Sequence, residues 1–397
     1  MIASTQNATT TGIKTRIFKN GTNNNIINNY TINSEIQLSK RGDYVKWWNT
    51  GTTLSKNKTD YDQFSLSGKF DAYGNCSSMV NTTGSNDIPT TFAFFRLFYN
   101  CTTLETAPAL PASGLTSSCY RAMFQNSTSL KKPPKLPATT TPSFCYSYMF
   151  CGCSNLQYTP ELPTSGTMNE RCYQYMFNGC NKIKFPADLP GTTLNQYCYY
   201  AMYGSCTNME ESPELPATSL GTGSYGELFY NCSKLKEIKV NFTTWGSPAT
   251  NTSGWVSGSI SSSGYFFSSI NLSESHDADH VPVGWTKYED ALLFKAAQAN
   301  STVKFGSGYG SVKNGIQYRR IGSLTWQTYT PGTTITLTNV GDGVYFKGIY
   351  NTWNNNDSRS TSEDKFFMTG LINAYRKYYG NVKLSKRCLY LVFPFII

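Results

Sequence analysis

The chain has 397 residues, of which 15% are charged and 15% aromatic, with a formal net charge of +10. That length leaves room for two or three domains, and the wealth of Asn, Thr, Ser, Gly and Tyr predicts strands and loops, not helical bundles. No Lys/Arg run or arginine-rich arm is present, so nucleic acid is excluded as a partner and the positive charge reads as solubility with mild steering.

Taken in chain order, Met1–Asn7 lacks the basic and apolar regions of a secretory signal, so export by that route is not expected. Residues 1–90 are expected to form a small β-domain. Within it, Ile36–Trp47 alternates apolar and polar residues around a Gly42-Asp43 turn signal.

From residue 91 the sequence repeats. Phe98, Phe124, Phe150, Phe177, Tyr203 and Phe229 recur 26 or 27 residues apart, each followed six residues later by Leu104, Leu130, Leu156, Ile183, Met209 or Leu235. A Leu-Pro pair closes each complete unit, at Pro111, Pro137, Pro163, Pro190 and Pro216. In Cys119–Phe124 the pairs Cys119/Met123 and Tyr120/Phe124 stand four residues apart, which predicts one short helical turn with an apolar face. Leu130–Leu136 reads as a short extended stretch ended by prolines. One unit cannot bury its apolar side. Stacked units, about 4.8 Å apart if their strands pair in parallel, align those side chains into one core.

These residues resemble the BspA-like leucine-rich repeats, in the form Cys145-Tyr146-Ser-Tyr-Met149-Phe150-Cys-Gly-Cys153-Ser-Asn-Leu156-Gln-Tyr-Thr-Pro160-Glu-Leu162-Pro163. The resemblance covers residues 91–287 and includes a tail, Trp255-Val-Ser-Gly and Pro282-Val-Gly-Trp285-Thr286, similar to the terminal cap of such arrays. It implies a solenoid of about five coils whose role is adhesion or receptor binding, on a bacterial surface or on a virion. Without an export signal, the virion is the expected location and an extracellular surface the alternative.

Nine cysteines fall in two repeat columns: Cys119, Cys145, Cys172 and Cys198, and Cys101, Cys153, Cys180, Cys206 and Cys232. Ser127 interrupts the second column, which suits a small buried side chain better than an obligatory bond. Free thiols are expected; a disulfide between coils stays open as the alternative. Residues one and two past each column Leu vary from unit to unit, and eight of them form the candidate binding face: Lys131, Lys132, Gln157, Tyr158, Lys184, Phe185, Glu210 and Glu211. The same variation would mark an unconstrained solvent face. The only histidines, His276 and His280, flank two aspartates in a Ser-rich tract and read as a solvated loop, so no metal, cofactor or catalytic residue is expected.

Residues 288–397 are expected to duplicate the first β-domain. Ile335–Phe346 matches Ile36–Trp47 at one constant offset, and Met368–Tyr375 matches Leu66–Tyr73 at an offset three larger. The apolar end, Cys388–Ile397, is half the length of a membrane span and predicts a last strand or an oligomer contact, so no membrane insertion. The expected whole is mostly β: a leucine-rich-repeat-like solenoid flanked by two small β-sandwich-like domains. It is expected to be a non-enzymatic phage fibre or decoration protein that binds a host-surface glycan or protein and other virion proteins, with room for a homo-oligomer. A bacterial surface adhesin and a virion-borne glycan-processing enzyme are the rivals. The enzyme would need a paired-carboxylate cleft.

Overall fold

The computed structural model of the chain describes residues 2–5, 12–19, 22–23, 26–51, 54–80, 86–163, 167–246, 250–269, 271–289, 292–296, 298–306, 316–320, 326–330, 332–340, 342–348, 359–362 and 366–369. They form strands and turns, with a single 3₁₀ turn at Cys76–Met79 as their only helical element. The mostly β class follows. The chain divides into two compact units, Met1–Lys287 and Tyr288–Ile397.

The first unit opens with β1 (Ile2–Thr5), β2 (Ile13–Lys19), β3 (Thr22–Asn23), β4 (Asn28–Asn29), β5 (Tyr44–Asn49) and β6 (Tyr61–Phe64). β2 is the hub, pairing antiparallel with β3, β4 and β5, while β1 pairs with β6. Asp43 sets up β5: its carboxylate accepts the Ser39 and Lys40 amides at 3.0 and 3.1 Å, and its own amide donates to the Lys40 carbonyl. This is the turn that Gly42-Asp43 announces. Ile13, Leu54 and Phe64 share one continuous core with the repeats, so the strands before residue 90 are built onto the repeat array.

The repeat forms no helix. Ser118, Ala122 and Asn126 have φ of 58°, 56° and 61°, a left-handed residue at every fourth position. Each costs a non-glycine residue roughly 1–2 kcal/mol and stops helical propagation. What replaces the helix is a chain of tight turns in which backbone amides alternate in direction. Arg121, Met123 and Gln125 donate to the carbonyls of Ser118, Tyr120 and Ala122 in their own unit; Tyr120, Ala122 and Phe124 donate to Cys145, Ser147 and Met149 in the next. Every amide of the segment is thereby satisfied, which compensates the left-handed residues. The four-residue turn period keeps Tyr120 and Phe124 on one face, as the sequence spacing requires, without the helix that the spacing suggested.

Two ring ladders follow. Phe98, Phe124, Phe150, Phe177 and Tyr203 stack at centroid separations of 5.4 to 5.7 Å with ring planes within 9°. Beside them Phe94, Tyr120, Tyr146, Tyr173 and Tyr199 stack at 5.5 to 5.8 Å. Phe64 of β6 starts the first ladder, 5.1 Å from Phe98, although no repeat spacing leads to it. The Tyr120 hydroxyl is buried and has no hydrogen-bond partner among the described residues. Because Phe94 fills the same column without a hydroxyl, Tyr120→Phe is expected to keep or raise stability, by up to about 1 kcal/mol, in a urea melt.

The extended stretches make a thinner seam than the turns. Among the described residues, regular parallel pairing joins β7 (Phe70–Asp71) with β8 (Leu104–Thr106), β9 (Thr167–Met168) with β10 (Thr193–Leu194), and β11 (Glu211–Leu215), β12 (Glu237–Val240) and β13 (Tyr265–Ser268). Elsewhere isolated backbone bonds join neighbouring stretches, such as Gln157 to Lys131. The expected ladder of extended stretches is therefore secondary, because the prolines withdraw donors. At the far end Trp255 takes the next ladder position, 6.1 Å from Phe229, with its indole N–H on the His280 carbonyl at 2.8 Å. β14 (Thr286–Glu289) adds to the sheet beyond β13, and Trp285 donates to Ser261 at 2.8 Å.

In the second unit β15 (Leu292–Ala296), β16 (Ser301–Gly306), β17 (Ile316–Arg320), β18 (Gln327–Thr328), β19 (Thr334–Leu337), β20 (Gly343–Gly348), β21 (Arg359–Ser362) and β22 (Phe366–Thr369) form two sheets. The order is β18-β17-β20-β15-β22 in one and β19-β16-β21 in the other. Side chains from both, among them Phe294, Val303, Leu337 and Phe346, share one core. Asp342 repeats the Asp43 turn, taking the Asn339 amide at 2.9 Å and donating its own to the Asn339 carbonyl at 3.2 Å. β20 follows it as β5 follows Asp43. The counterparts differ at Ile36–Leu38, which is not a strand, against Thr334–Leu337, which is. Residues 370–375 of the second match and the apolar Cys388–Ile397 lie outside the described residues.

Candidate functional site

The Leu column points inward and the next residue outward, so the expected face is assembled by neighbouring units. Leu104, Leu130 and Leu156 are fully buried in a single core. Lys131, Lys132, Gln157, Tyr158, Lys184, Phe185 and Glu211 are exposed and Glu210 is half-buried. Backbone bonds from Lys131 to Glu105 and Gln157 to Lys131 join three neighbouring stretches, and one from Glu210 to Lys184 joins the next two, along the row that the buried Leu and Ile column sets. Along it Glu105 lies between Lys69 and Lys131, 3.3 Å from each, and hydrogen bonds from both lysines hold its carboxyl below the usual range. Lys184 pairs with Glu210 at 3.2 Å. Exposed pairs of this kind add little stability; their alternating sign breaks any continuous charged track. Between them stand Tyr158, 44% exposed, and Phe185, 58% exposed, one apolar step on an otherwise polar row.

A second face, to which the sequence reasoning did not point, lies on the turn segments. Here arginines sit over aromatic rings: Arg96 over Tyr99 at 4.5 Å, Arg121 over Phe144 at 5.0 Å, Arg171 over Tyr197 at 4.7 Å. Tyr148 and Tyr175 stack at 4.7 Å, and Tyr175 meets Tyr200 edge-on at 5.5 Å. The signal was present, since the places two and three before the ladder ring hold Phe95, Arg96, Arg121, Tyr148, Tyr175 and Tyr200. A chain of four-residue turns aligns them unit by unit.

The remaining candidates are structural. The eleven described cysteines are free thiols, ten of them buried. One column serves the backbone, since Cys101, Ser127, Cys153, Cys180, Cys206 and Cys232 each donate to the carbonyl of the ladder residue one unit back, at 2.8 to 3.2 Å. A serine fits there because the column needs a small donor. Burial pushes Cys119 and Cys206 up to about 12 and the half-buried Cys151 up to about 11. Thiolates are then scarce at pH 8, and iodoacetamide is expected to modify Cys151 before any buried cysteine of the folded repeats, read by peptide mass spectrometry.

The His280 Nδ1–H donates to the Asp277 carboxylate at 2.7 Å, and His276 meets Glu274 at 3.0 Å. Asp279 takes the Gly254 amide at 2.6 Å, so this loop ties the last turn segment shut. Among the described residues no cluster of three His, Cys, Asp or Glu side chains could hold a metal ion. No protein-family model, curated protein or solved structure matches the chain.

Proposed function

We propose that the chain is a non-enzymatic recognition or display protein: a BspA-like leucine-rich-repeat solenoid with two copies of one small β-domain, carried on a virion as a fibre or decoration protein. The observation that carries this reading is the contrast between its two sides. Inside, every unit repeats the same ring, Leu and small-donor columns. Outside, the row from Glu105 to Lys236 changes residue at each step while the spacing stays fixed. A rigid wall with variable outward side chains suits recognition of an extended partner, here a host-surface glycan or protein. The duplicated Asp43 and Asp342 turns, each followed by a paired strand, support the second β-domain as a copy of the first. Other virion proteins are the partners expected there.

Catalysis is the weaker reading. Glu105 and Glu210 on the row are bound to lysines, and the cleft lined by Phe95, Arg96, Arg121, Ala122, Gln125 and Tyr148 presents no carboxylate pair of the kind that glycan hydrolysis uses. The test is mass spectrometry of purified phage particles, in which the chain is expected at a fixed ratio to the capsid proteins. Recovery in washed outer membranes of uninfected cells would make it an adhesin instead.

A further inference from the structure

The turn face holds a cleft of about 310 Å³ lined by Phe95, Arg96, Arg121, Ala122, Gln125 and Tyr148. We infer that this cleft takes one carboxylate-bearing sugar of an acidic glycan. The inference deepens the recognition reading above and rests on it.

Two arginines define the ligand's charge. Arg96 lies over Phe95 at 5.3 Å and Tyr99 at 4.5 Å, and Arg121 over Phe144 at 5.0 Å. A guanidinium packed against aromatic rings still offers N–H groups to a ligand, and these match a carboxylate in two parallel hydrogen bonds. Arg96 spends one group on the Tyr61 hydroxyl at 3.0 Å, while its buried Nε has no partner. Among the described residues no carboxylate pairs with Arg96 or Arg121, whereas Arg171 on the same face has Glu170. The two arginines sit on adjacent units, joined by the Arg96 amide on the Arg121 carbonyl at 3.2 Å. Two half-buried like charges side by side repel, and a bound anion would relieve both.

The walls and the size define the rest of the ligand. Phe95, Ala122 and Tyr148 offer an apolar surface to the C–H face of a sugar ring, and Gln125 offers an amide to its hydroxyls. The volume stands at the low end of ligand pockets, about 300–1,000 Å³, which suits one sugar of a chain. A nucleic acid fits poorly, because Glu170 and Glu227 lie along the same face, where a phosphate backbone would need one sign throughout.

The experiment is titration calorimetry on the full chain with a uronate trisaccharide, its carboxyl-reduced counterpart and inorganic phosphate. The uronate is expected to bind at least about tenfold more tightly than either. Arg121→Ala and Gln125→Glu are each expected to weaken it at least about tenfold, the second by placing a charge on the half-buried rim, so it still decides the matter if the first fails to fold. Equal binding of the two trisaccharides, binding of phosphate as strong as the uronate, or an unchanged titration in Gln125→Glu would overturn the inference. Labelled protein added to host cells separates the two readings. Cell binding that persists in Gln125→Glu without uronate affinity removes the cleft and keeps recognition, whereas wild-type protein that binds uronate but no host cell removes the host-recognition role.

Discussion

Replacing Phe150 by Ala is expected to cost about 3–5 kcal/mol of unfolding free energy, enough to expose much of a marginal chain. The ring is fully buried between Phe124 and Phe177, 5.6 Å from each, with planes within 3°. Truncation loses the transfer free energy of the ring and two stacking contacts, each worth about 0.5–1.5 kcal/mol beyond area. The cavity cannot close, because the Phe150 amide is fixed to the Met176 carbonyl at 2.9 Å and the Phe124 amide to the Met149 carbonyl at 2.9 Å. Urea denaturation followed by tyrosine and tryptophan fluorescence measures the loss. Tyr158→Ala, on the exposed row, is the comparison and is expected to change stability by under about 0.5 kcal/mol. Similar losses in the two variants would mean that the ladder contributes nothing special.

Trp255→Ala is expected to cost a similar 3–5 kcal/mol, but with a different spatial signature. Trp255 closes the ladder: it is fully buried, contacts Phe229, Trp245 and Phe266, and its N–H satisfies the His280 carbonyl. Its loss opens the end of the stack and leaves that carbonyl without a donor. Units in a stacked array bind only their neighbours, so damage at an end spreads inward by fraying. Amide hydrogen exchange is expected to quicken first between Cys206 and Val240 and to leave Cys119–Phe150 slow. A uniform rise along the whole array would instead mean that Trp255 acts through global stability alone.

Much of this core was legible in the sequence, because the ladder rings, the Leu column and the cysteine columns are side chains that repeat at one spacing and so must meet one environment. Local backbone was less legible. A four-residue spacing of apolar side chains fits an α-helix and a chain of four-residue turns almost equally. What separates them is the left-handed residues, which fall in three columns: those of Ser118, Phe144 and Arg171 and of Ala122, Tyr148 and Tyr175 carry no glycine signal, while that of Asn100, Asn126, Gly152, Gly179 and Asn231 does carry the Asn/Gly mark of a left-handed turn. Phe64 could not be found by period, since it stands 34 residues before Phe98. It enters the ladder through β6, a strand of another element. The row of Lys131, Tyr158, Lys184, Phe185 and Glu210 was found because the residues one and two past the Leu column vary from unit to unit while the column itself does not. The arginine cleft was missed because its residues become neighbours only through the turns.

The central claim is that successive 26-residue stretches are interchangeable layers of one stack. Deleting Gln125–Phe150, one full layer, rejoins Phe124 to Cys151 with every column in phase. The shortened chain is predicted to fold and to unfold in a single cooperative transition, while removal of the half layer Gln125–Pro137 abolishes that transition. Loss of folding in both variants alike would contradict the account.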